Sequence, residues 1–256
     1  MENKNIKNKL HYLLWYFIIF SVVGLIIETA YGFATMGIIE SRKGLYLGPF
    51  CPIYGVGGAI LIFILDKFKN NKIKLAIYGG ILGSVIEYLL SFMLEAIYGA
   101  RFWDYGYVKY NLNGRICSVY SIFWAILSVI LITFIKPQID KLINKIGKEE
   151  IKKENNNKLK NKLSILKNRS FIDLGVFVFL LIDALITVWA VNTYQNRVLN
   201  EYYGIEEKNK ISIIKNIEDN CFSNEKMLFT FPNLRVRDNN GNEVFVKNML
   251  NEINNR

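Results

Sequence analysis

Long apolar runs with few charges dominate the pattern of hydrophobic and polar positions. A helix needs about 20 apolar residues to cross the ~30 Å hydrocarbon core of a bilayer. Four runs approach or exceed that length, at residues 10–33, 73–98, 116–135 and 171–193. A further run, at residues 49–65, is shorter and rich in Gly and Pro. The pattern predicts an all-α integral membrane protein with about five transmembrane helices.

Lysine and arginine are concentrated in three of the segments that flank these runs, at residues 1–9, 66–74 and 136–169. Basic residues in short loops mark the cytoplasmic side of a membrane protein. The loops at residues 37–48 and 99–115 carry fewer cations and are predicted to lie outside. We therefore expect a multi-pass protein of the plasma membrane with a cytoplasmic N-terminus and an external C-terminal tail.

Composition agrees with this class. Of the 256 residues, 52% are hydrophobic and 21% are charged, and the formal net charge is +10. A soluble domain has fewer apolar and more charged residues, so these values argue against an ordinary cytosolic enzyme. Because the basic residues flank apolar runs, they favour a lipid bilayer as partner over nucleic acid. The single histidine and three cysteines predict neither a metal site nor a cofactor, and the chain lacks a P-loop for nucleotide hydrolysis.

Two motifs occur twice along the chain, in the same order. The first motif is a glutamate flanked by a small residue four positions away on each side, and the second reads G-x-x-C-x-[IV]-Y. The copies are Gly24-Glu28-Gly32 with Gly48-Cys51-Tyr54, and Gly83-Glu87-Ser91 with Gly114-Cys117-Tyr120. Two spans per copy return the chain to the same side, so the copies should be parallel. They predict helix–loop–helix repeats at residues 10–66 and 72–136.

The predicted domain organisation follows from these runs. Residues 1–137 form a four-helix membrane core, and residues 138–170 form a basic cytoplasmic linker or amphipathic helix. Residues 171–193 form the fifth transmembrane helix. The tail, residues 194–256, is a small external appendage in which alternating residues around Asn240-Gly241 predict a β-hairpin.

Intramembrane carboxylates provide the main candidate site. An ionised carboxylate at the bilayer centre costs about 2.5–3.5 kcal/mol on insertion scales, so a stripe of polar residues should face the protein interior. Glu28, Glu87 and Glu95 lie on such stripes. They predict either a polar pocket that binds a cation, a headgroup or a proton, or internal ion pairs that hold the helices together. Arg115 precedes an apolar run and is a natural partner for Glu87 or Glu28.

A compact group of polar and aromatic residues in the second external loop extends this prediction. Arg101, Trp103 and Asp104 form either part of a binding site or, for the tryptophan, part of an interfacial aromatic belt. Together with residues from the repeat motifs they complete a predicted pocket. Its members are Glu28, Tyr54, Glu87, Tyr88, Glu95, Arg101, Trp103, Asp104, Asn113 and Arg115.

Three further features carry open alternatives. The segment at residues 48–55 contains two prolines and two glycines, which predict either a broken backbone at a binding site or a simple bend. Cys51 and Cys117 hold matching repeat positions and predict either a disulfide or small apolar packing residues. Asp183, near the middle of the fifth span, needs a partner, for which we expect a tyrosine or arginine of the bundle.

The repeat motifs are similar to those of a family of bacterial membrane proteins named putative ABC transporter permeases, of the CmpB type. The shared words are Gly24 to Glu28, the run GLYLGPFCPIYG at residues 44–55, Gly83 to Glu87, ARFWDY at residues 100–105 and NLNGRIC at residues 111–117. The resemblance covers residues 14–137. It implies a permease that works with a separate ATPase subunit.

The sequence thus leaves three functions open. The first is a permease subunit with a polar intramembrane pocket that works with a separate ATPase subunit. A homo-oligomer of this chain is a further option. The second is an intramembrane enzyme for a lipid or lipid-linked substrate, in which Glu87 or Glu28 is the general base and Arg101 or Arg115 holds a phosphate. The third is a non-catalytic assembly or sensor subunit whose tail is the ligand surface.

Overall fold

A computed structural model describes the chain at residues 2–98, 101, 103–152, 160–205 and 211–255. Ala100 and Phe102 of the shared loop motif, and the middle of the predicted linker at residues 153–159, lie outside the described residues. The described part is mostly helical, with two small antiparallel sheets.

Four helical stretches are long and apolar enough to cross a membrane. They are Asn8–Met36 within α1 (Glu2–Met36), Lys72–Ile97 within α3 (Lys72–Tyr98), Ser118–Lys145, and Phe171–Tyr203 within α6 (Lys160–Tyr203). They coincide with the four long apolar runs of the sequence. The prediction of a multi-pass helical membrane protein is confirmed at that level.

The shorter apolar run forms α2 (Pro52–Leu65), a helix of 14 residues. At 1.5 Å per residue it is about 21 Å long, well short of the hydrocarbon core. Proline at the first helical position suits its fixed backbone angle, and Pro52 also disfavours helical geometry for the preceding Cys51, which opposes an earlier start. The helix ends in a 3₁₀ turn, Asp66–Phe68. The run at residues 49–65 therefore does not form a full-length spanning helix like the other four.

The candidate span Ser118–Lys145, the fourth of the five predicted from the sequence, continues past its predicted end at residue 135. It comprises α4 (Ser118–Ile130), a π-helical turn at Leu131–Ile135 and α5 (Lys136–Lys152). Pro137 lacks an N–H and would clash with the carbonyl one turn earlier in a regular α-helix. The wider π turn immediately before it accommodates the proline without ending the helix. The first part of the predicted linker is therefore a helical extension of this span.

The described part of the chain contains two short β-hairpins. β1 (Asn111–Leu112) pairs with β2 (Ile116–Cys117), and the connecting Asn113 and Gly114 have φ angles of 54° and 70°. Asparagine and glycine adopt this left-handed conformation at low cost, so the Asn-Gly pair selects the turn. β3 (Arg235–Arg237) pairs with β4 (Glu243–Phe245). This second hairpin confirms the prediction made from the alternation around Asn240-Gly241.

The chain divides into two compact units, which are described separately. Unit 1 comprises Met1–Val23, Pro52–Tyr88 and Tyr105–Leu181. Unit 2 comprises Gly24–Cys51, Leu89–Asp104 and Ile182–Arg256. Each unit therefore combines segments that are distant in sequence.

Small residues hold the helices of unit 1 together. A Cβ atom added to Gly55 of α2 would lie 2.1 Å from the Ser21 hydroxyl of α1. One added to Gly79 of α3 would lie 2.3 Å from the Ser128 side chain of α4. Small residues allow such close backbone approach, which is the usual source of packing energy between helices in a bilayer. These glycines therefore fix two of the helix crossings.

Unit 2 has an apolar core built between the end of α6 and the tail. The tail contributes α7 (Ser212–Cys221), α8 (Asn224–Thr230), the second hairpin and α9 (Val246–Asn254). The core residues are Ala190, Val191, Tyr194, Val198, Phe222, Met227, Leu234, Val236, Val246, Met249 and Leu250. This set includes residues of α8, of the second hairpin and of α9, and Phe222 directly after α7, so the described tail packs as a folded extension of the fifth span.

Candidate functional site

Glu87 lies at the centre of a hydrogen-bonded group that we call the Glu87 site, formed with Tyr105 and Trp124. The Glu87 side chain, on α3, is only 8% exposed. The Tyr105 hydroxyl donates to one carboxylate oxygen at 2.8 Å, and the Trp124 indole N–H donates to the other at 2.5 Å. Tyr105 comes from the loop after α3 and Trp124 from α4. Both oxygens of a buried intramembrane carboxylate are thus hydrogen-bonded.

The sequence around the Glu87 site explains its close geometry. Gly83 lies one turn before Glu87 on α3, and a Cβ atom there would be 2.5 Å from the Trp124 side chain. Glycine at this position lets the indole approach the helix. Tyr105 stacks on Tyr120 with ring centroids 4.5 Å apart, and its backbone N–H donates to the Gly114 carbonyl at 2.7 Å. Together these contacts fix the direction in which the Tyr105 hydroxyl points.

The protonation of Tyr105 follows from its surroundings. Burial, and after it the negative charge of Glu87, raise the pKa of the Tyr105 phenol well above its ordinary value. The phenol therefore stays protonated across the physiological range. It serves as a hydrogen-bond donor and not as an anion beside the carboxylate.

Two other predicted pocket residues of unit 1, Asn113 and Arg115, contact Tyr88, the residue that follows Glu87 on α3. The Asn113 amide donates to the Tyr88 hydroxyl at 3.0 Å, and the Arg115 guanidinium lies 5.8 Å from the centroid of the Tyr88 ring. Arg115 is 7% exposed. Tyr54 is half-buried on α2. The first hairpin therefore holds the Asn113 and Arg115 side chains against α3 at Tyr88.

Sequence reasoning did not identify the hydrogen-bond donors of the buried Glu87 carboxylate. An arginine was the expected partner, whereas the described donors are a phenol and an indole. Tyr105 belongs to the loop motif that was singled out, but it was not placed in the pocket. Trp124 carried one usable signal, because a tryptophan within an apolar run has an N–H that needs an acceptor.

A second group of predicted residues lies in unit 2, in what we call the charged cleft. Glu95 accepts from the Arg237 guanidinium at 2.7 Å and from Arg101 at 3.3 Å. Glu243 accepts from Arg235 at 3.5 Å and from the Arg101 backbone N–H at 3.2 Å. These residues and the exposed Asp104 line a cleft of about 310 Å³. The tail hairpin thus supplies three charged residues that sequence reasoning had left outside the site.

The remaining site residues are placed individually. Glu28 of α1 and Trp103 are half-buried in unit 2, and their role in a pocket stays a prediction. Cys51 and Cys117 are both buried. The disulfide between them also stays a prediction. Among the described residues, no group of three His, Cys, Asp or Glu side chains is arranged to hold a metal ion.

Asp183 is fully buried on α6, and its partners correct our expectation of a tyrosine or arginine. Its carboxylate accepts the backbone N–H groups of Leu47 and Gly48 at 2.9 and 3.3 Å. Thr187, one turn later, accepts the N–H of Tyr46 at 2.9 Å. The non-helical segment before α2 has N–H groups that need acceptors when water is excluded. The fifth span supplies them.

A polar network in unit 1 lies where α2, α1 and α5 meet. Lys136 forms ion pairs with Asp140 at 2.6 Å and with Asp66 at 3.3 Å, and the Tyr16 hydroxyl also donates to Asp140. His11 hydrogen-bonds Asp173 at 2.8 Å. The structure thus pairs this histidine of α1 with an acidic residue of the fifth span.

Comparison with known proteins identifies the family. A family described as putative ABC-transporter type IV (ABC_trans_CmpB) matches residues 15–153. The match covers more than half of the chain and includes all three residues of the Glu87 site. Searches of curated proteins and of solved structures give no significant match. The spanning helices, the repeat motifs and this match together show that the chain belongs to the putative ABC-transporter type IV family.

Proposed function

We propose that the protein is the membrane-embedded permease subunit of a transporter, with a polar intramembrane site at Glu87. The observation that carries the proposal is the burial of the Glu87 carboxylate in an apolar span, between donors from a loop and from a second helix. Ionisable residues inside membrane spans commonly mark substrate or ion pathways. Membership of a putative ABC-transporter family supports the same conclusion.

The Glu87 site has unused capacity for a ligand. An ionised carboxylate offers about four lone-pair positions, and Tyr105 and Trp124 occupy one on each oxygen. Neither donor neutralises the negative charge. A cation, a proton or a polar group of a substrate therefore has both a charge and free lone pairs to bind. The substrate pathway that we propose passes this carboxylate.

Packing in unit 1 supports two parallel repeats. The offset in residue number between Glu28 and Glu87 also relates Ser21 to Gly80. The offset between Cys51 and Cys117 likewise relates Gly55 to Ser121. Gly55 packs against the Ser21 side chain, and a Cβ atom on Gly80 would lie 3.1 Å from the Ser121 carbonyl. The same small-residue contact thus recurs at equivalent positions, with serine and glycine exchanged.

The two repeat copies differ at the position whose side chain, in the second copy, donates a hydrogen bond to the carboxylate. The repeat spacing that carries Gly55 onto Ser121 carries Gly58 onto Trp124. A Cβ atom on Gly58 would lie 2.6 Å from the Phe20 ring, so Phe20 fills the space beside it. The first copy therefore has no indole donor at this position. This difference supports a single carboxylate site, in the second copy.

We further propose that the N-terminus and the turn after α2 are cytoplasmic and that the tail is external. The distribution of basic residues supports this orientation. A protease-sensitive tag at the C-terminus tests it in intact cells. External protease should remove the tag without lysis, and cleavage that requires lysis would reverse the orientation.

Purification from native membranes tests the permease proposal. A tagged chain in mild detergent should retain a subunit with a P-loop, and the ATP hydrolysis of that subunit in proteoliposomes should depend on the presence of this chain. Recovery of the chain without any ATPase, at equal yield and stability, contradicts a permease role in an ATP-driven transporter.

Glu87→Gln tests the carboxylate, because it removes the charge with little change of shape. In the reconstituted complex we expect transport-coupled ATP hydrolysis to fall at least tenfold. Glu201→Gln, at an exposed position of α6, is the matched control and should leave it unchanged. Equal activity of the two variants at equal expression would remove Glu87 from the proposed pathway.

The charged cleft favours a second candidate function, a sensor or assembly subunit with the tail as ligand surface. The tail hairpin places Arg235, Arg237 and Glu243 beside Glu95 of α3 and Arg101 of the predicted external loop. Replacing Arg235 and Arg237 by glutamine discriminates the two functions. If the chain is a sensor subunit, the double variant should lose its response to ligand while its ATPase partner is retained and active. If the chain is a simple permease subunit, ligand response and ATP hydrolysis should both be unaffected.

A further inference from the structure

A second cleft, lined by none of the three residues of the Glu87 site, lies between the end of α2 and the first half of α3. Its volume is about 390 Å³. The walls are apolar and consist of Ile64, Leu65, Tyr78, Ile81, Leu82 and Val85. Tyr78, Ile81 and Val85 are exposed within a candidate membrane span, so in a bilayer they face acyl chains. We call this feature the α2–α3 cleft.

One end of the α2–α3 cleft is aromatic and cationic. Phe68 of the 3₁₀ turn stacks on Tyr78 with ring centroids 4.5 Å apart and planes within 14° of parallel. The Lys67 ammonium lies 4.9 Å from the centroid of the Phe68 ring. Both Lys67 and Phe68 line the cleft. A matching ligand has a long apolar part and a negatively charged head.

The turn beside that end carries a concentrated positive charge. Lys67, Lys69, Lys72 and Lys74 are all exposed. The one acidic residue of the turn, Asp66, lies 3.3 Å from the Lys136 ammonium, so its charge is directed to another helix. Basic residues on this turn indicate the cytoplasmic leaflet, which is the leaflet rich in anionic lipid.

We propose that the α2–α3 cleft binds one anionic phospholipid, with an acyl chain against α2 and α3 and the phosphate at Lys67. The short α2 explains the space, because the helix ends at Leu65 while α3 begins beyond the turn. A docked helix of another protein would bury the apolar walls without requiring the four lysines. The positive charge at the Lys67 end of the cleft therefore selects a lipid as the occupant.

Native mass spectrometry of the purified full chain in detergent tests the proposal. Phosphatidylglycerol and phosphatidylcholine with identical acyl chains are the probes. We expect tighter retention of phosphatidylglycerol, at one copy per chain. Lys67→Gln should weaken its binding about fivefold, the factor that corresponds to about 1 kcal/mol for one lysine near anionic lipid. Binding of phosphatidylcholine should not change.

Two further variants separate the head from the chain. Lys109→Gln removes an exposed lysine of the loop after α3 and should leave both lipids unaffected. Leu82→Trp fills the cleft and should weaken both lipids. Equal retention of the two lipids by the unmodified chain overturns the proposal, as does an equal loss in Lys67→Gln and Lys109→Gln. Unchanged lipid binding in folded Leu82→Trp also overturns it.

Discussion

At the scale of single residues, the buried carboxylate of Glu87 is hydrogen-bonded by neutral donors. Sequence reasoning placed Glu87 in a buried site because a carboxylate on an apolar helix must avoid lipid. It named an arginine as partner, since opposite charge is the simplest compensation. The observed partners, Tyr105 and Trp124, are 18 and 37 positions away along the chain. Which donor reaches a carboxylate over such separations depends on the packed fold and not on local pattern.

Trp124→Phe removes one of the two donors and should destabilise the protein. A buried acceptor left without its partner costs about 1–3 kcal/mol. Thermal unfolding in detergent measures the loss. In a Glu87→Leu background the same substitution should cost much less, because no carboxylate remains to be satisfied. An equal cost in both backgrounds would show that the hydrogen bond contributes nothing and that only indole packing is lost.

Asp238 makes the second hairpin sensitive to acid. The backbone N–H of Asn242, the Asn242 side-chain amide and the backbone N–H of Asn240 hold the pKa of the Asp238 carboxyl below its ordinary value. The ionised form therefore stabilises the folded turn. That stabilisation is fully present above the unfolded pKa of about 3.9 and is lost as the pH falls through the lower folded pKa.

Hydrogen exchange of residues 233–246 measures this effect. The ratio of exchange in the native chain to that in Asp238→Asn, at the same pH, cancels the intrinsic pH dependence. We expect the native hairpin to be better protected at pH 6 and this advantage to shrink below about pH 4. A ratio that does not change with pH contradicts the role of Asp238.

Elements were predicted best where one periodic pattern extends over many residues. The four long spans and the second hairpin are confirmed. The first hairpin had a signal in Asn113-Gly114, which went unused. The length of α2 and the continuation of α4 through Pro137 both depend on how prolines are accommodated. A proline either starts a helix or widens it, and packing decides between these outcomes.

Two glycines of α2 give a matched test of helix packing. Gly55→Ala places a methyl group 2.1 Å from the Ser21 hydroxyl and 2.6 Å from the Phe17 backbone carbonyl. Backbone cannot yield as a side chain can, so we expect a loss of about 1–3 kcal/mol. Gly57 has no atom within 4 Å of an added Cβ. Gly57→Ala should be neutral or stabilising by up to about 1 kcal/mol, because alanine favours the helix.

Thermal unfolding of both variants in the same detergent provides the measurement. A lower unfolding temperature for Gly55→Ala alone supports the close α1–α2 crossing. Equal behaviour of the two variants would indicate that α1 and α2 do not pack at Ser21.

At the scale of the whole molecule, the sequence indicated segments but not their grouping. Apolar runs and basic loops define membrane spans because each is a local property. The two units instead combine distant stretches, as when Tyr46, from the segment between α1 and α2, packs against a core formed by α6 and the tail. The sequence pattern of the tail suggested a small appendage with a hairpin. Its buried side is visible only in three dimensions.

Met227→Ala should lower the stability of unit 2 and leave that of unit 1 unchanged. Met227 is fully buried in the core of that unit, and truncating such a residue costs about 2–5 kcal/mol. Hydrogen exchange should accelerate at residues 190–198 and 222–250 and stay unchanged at residues 75–87 of unit 1. Phe229→Ala, at a position 81% exposed, is the control and should change stability by less than about 0.5 kcal/mol. Uniform acceleration across both units would instead indicate a single cooperative fold.

The bond between Asp183 and the segment before α2 crosses the boundary of the region that the family shares. That region ends at residue 153, so Asp183 lies beyond it, whereas Leu47 and Gly48 lie within it. A chain truncated after residue 153 keeps these two amides but loses the carboxylate that accepts from them. Buried amides without acceptors cost free energy comparable to a lost hydrogen bond. The truncated chain should therefore unfold more easily in detergent than the full chain, and a separate peptide of residues 171–193 should restore part of the lost stability.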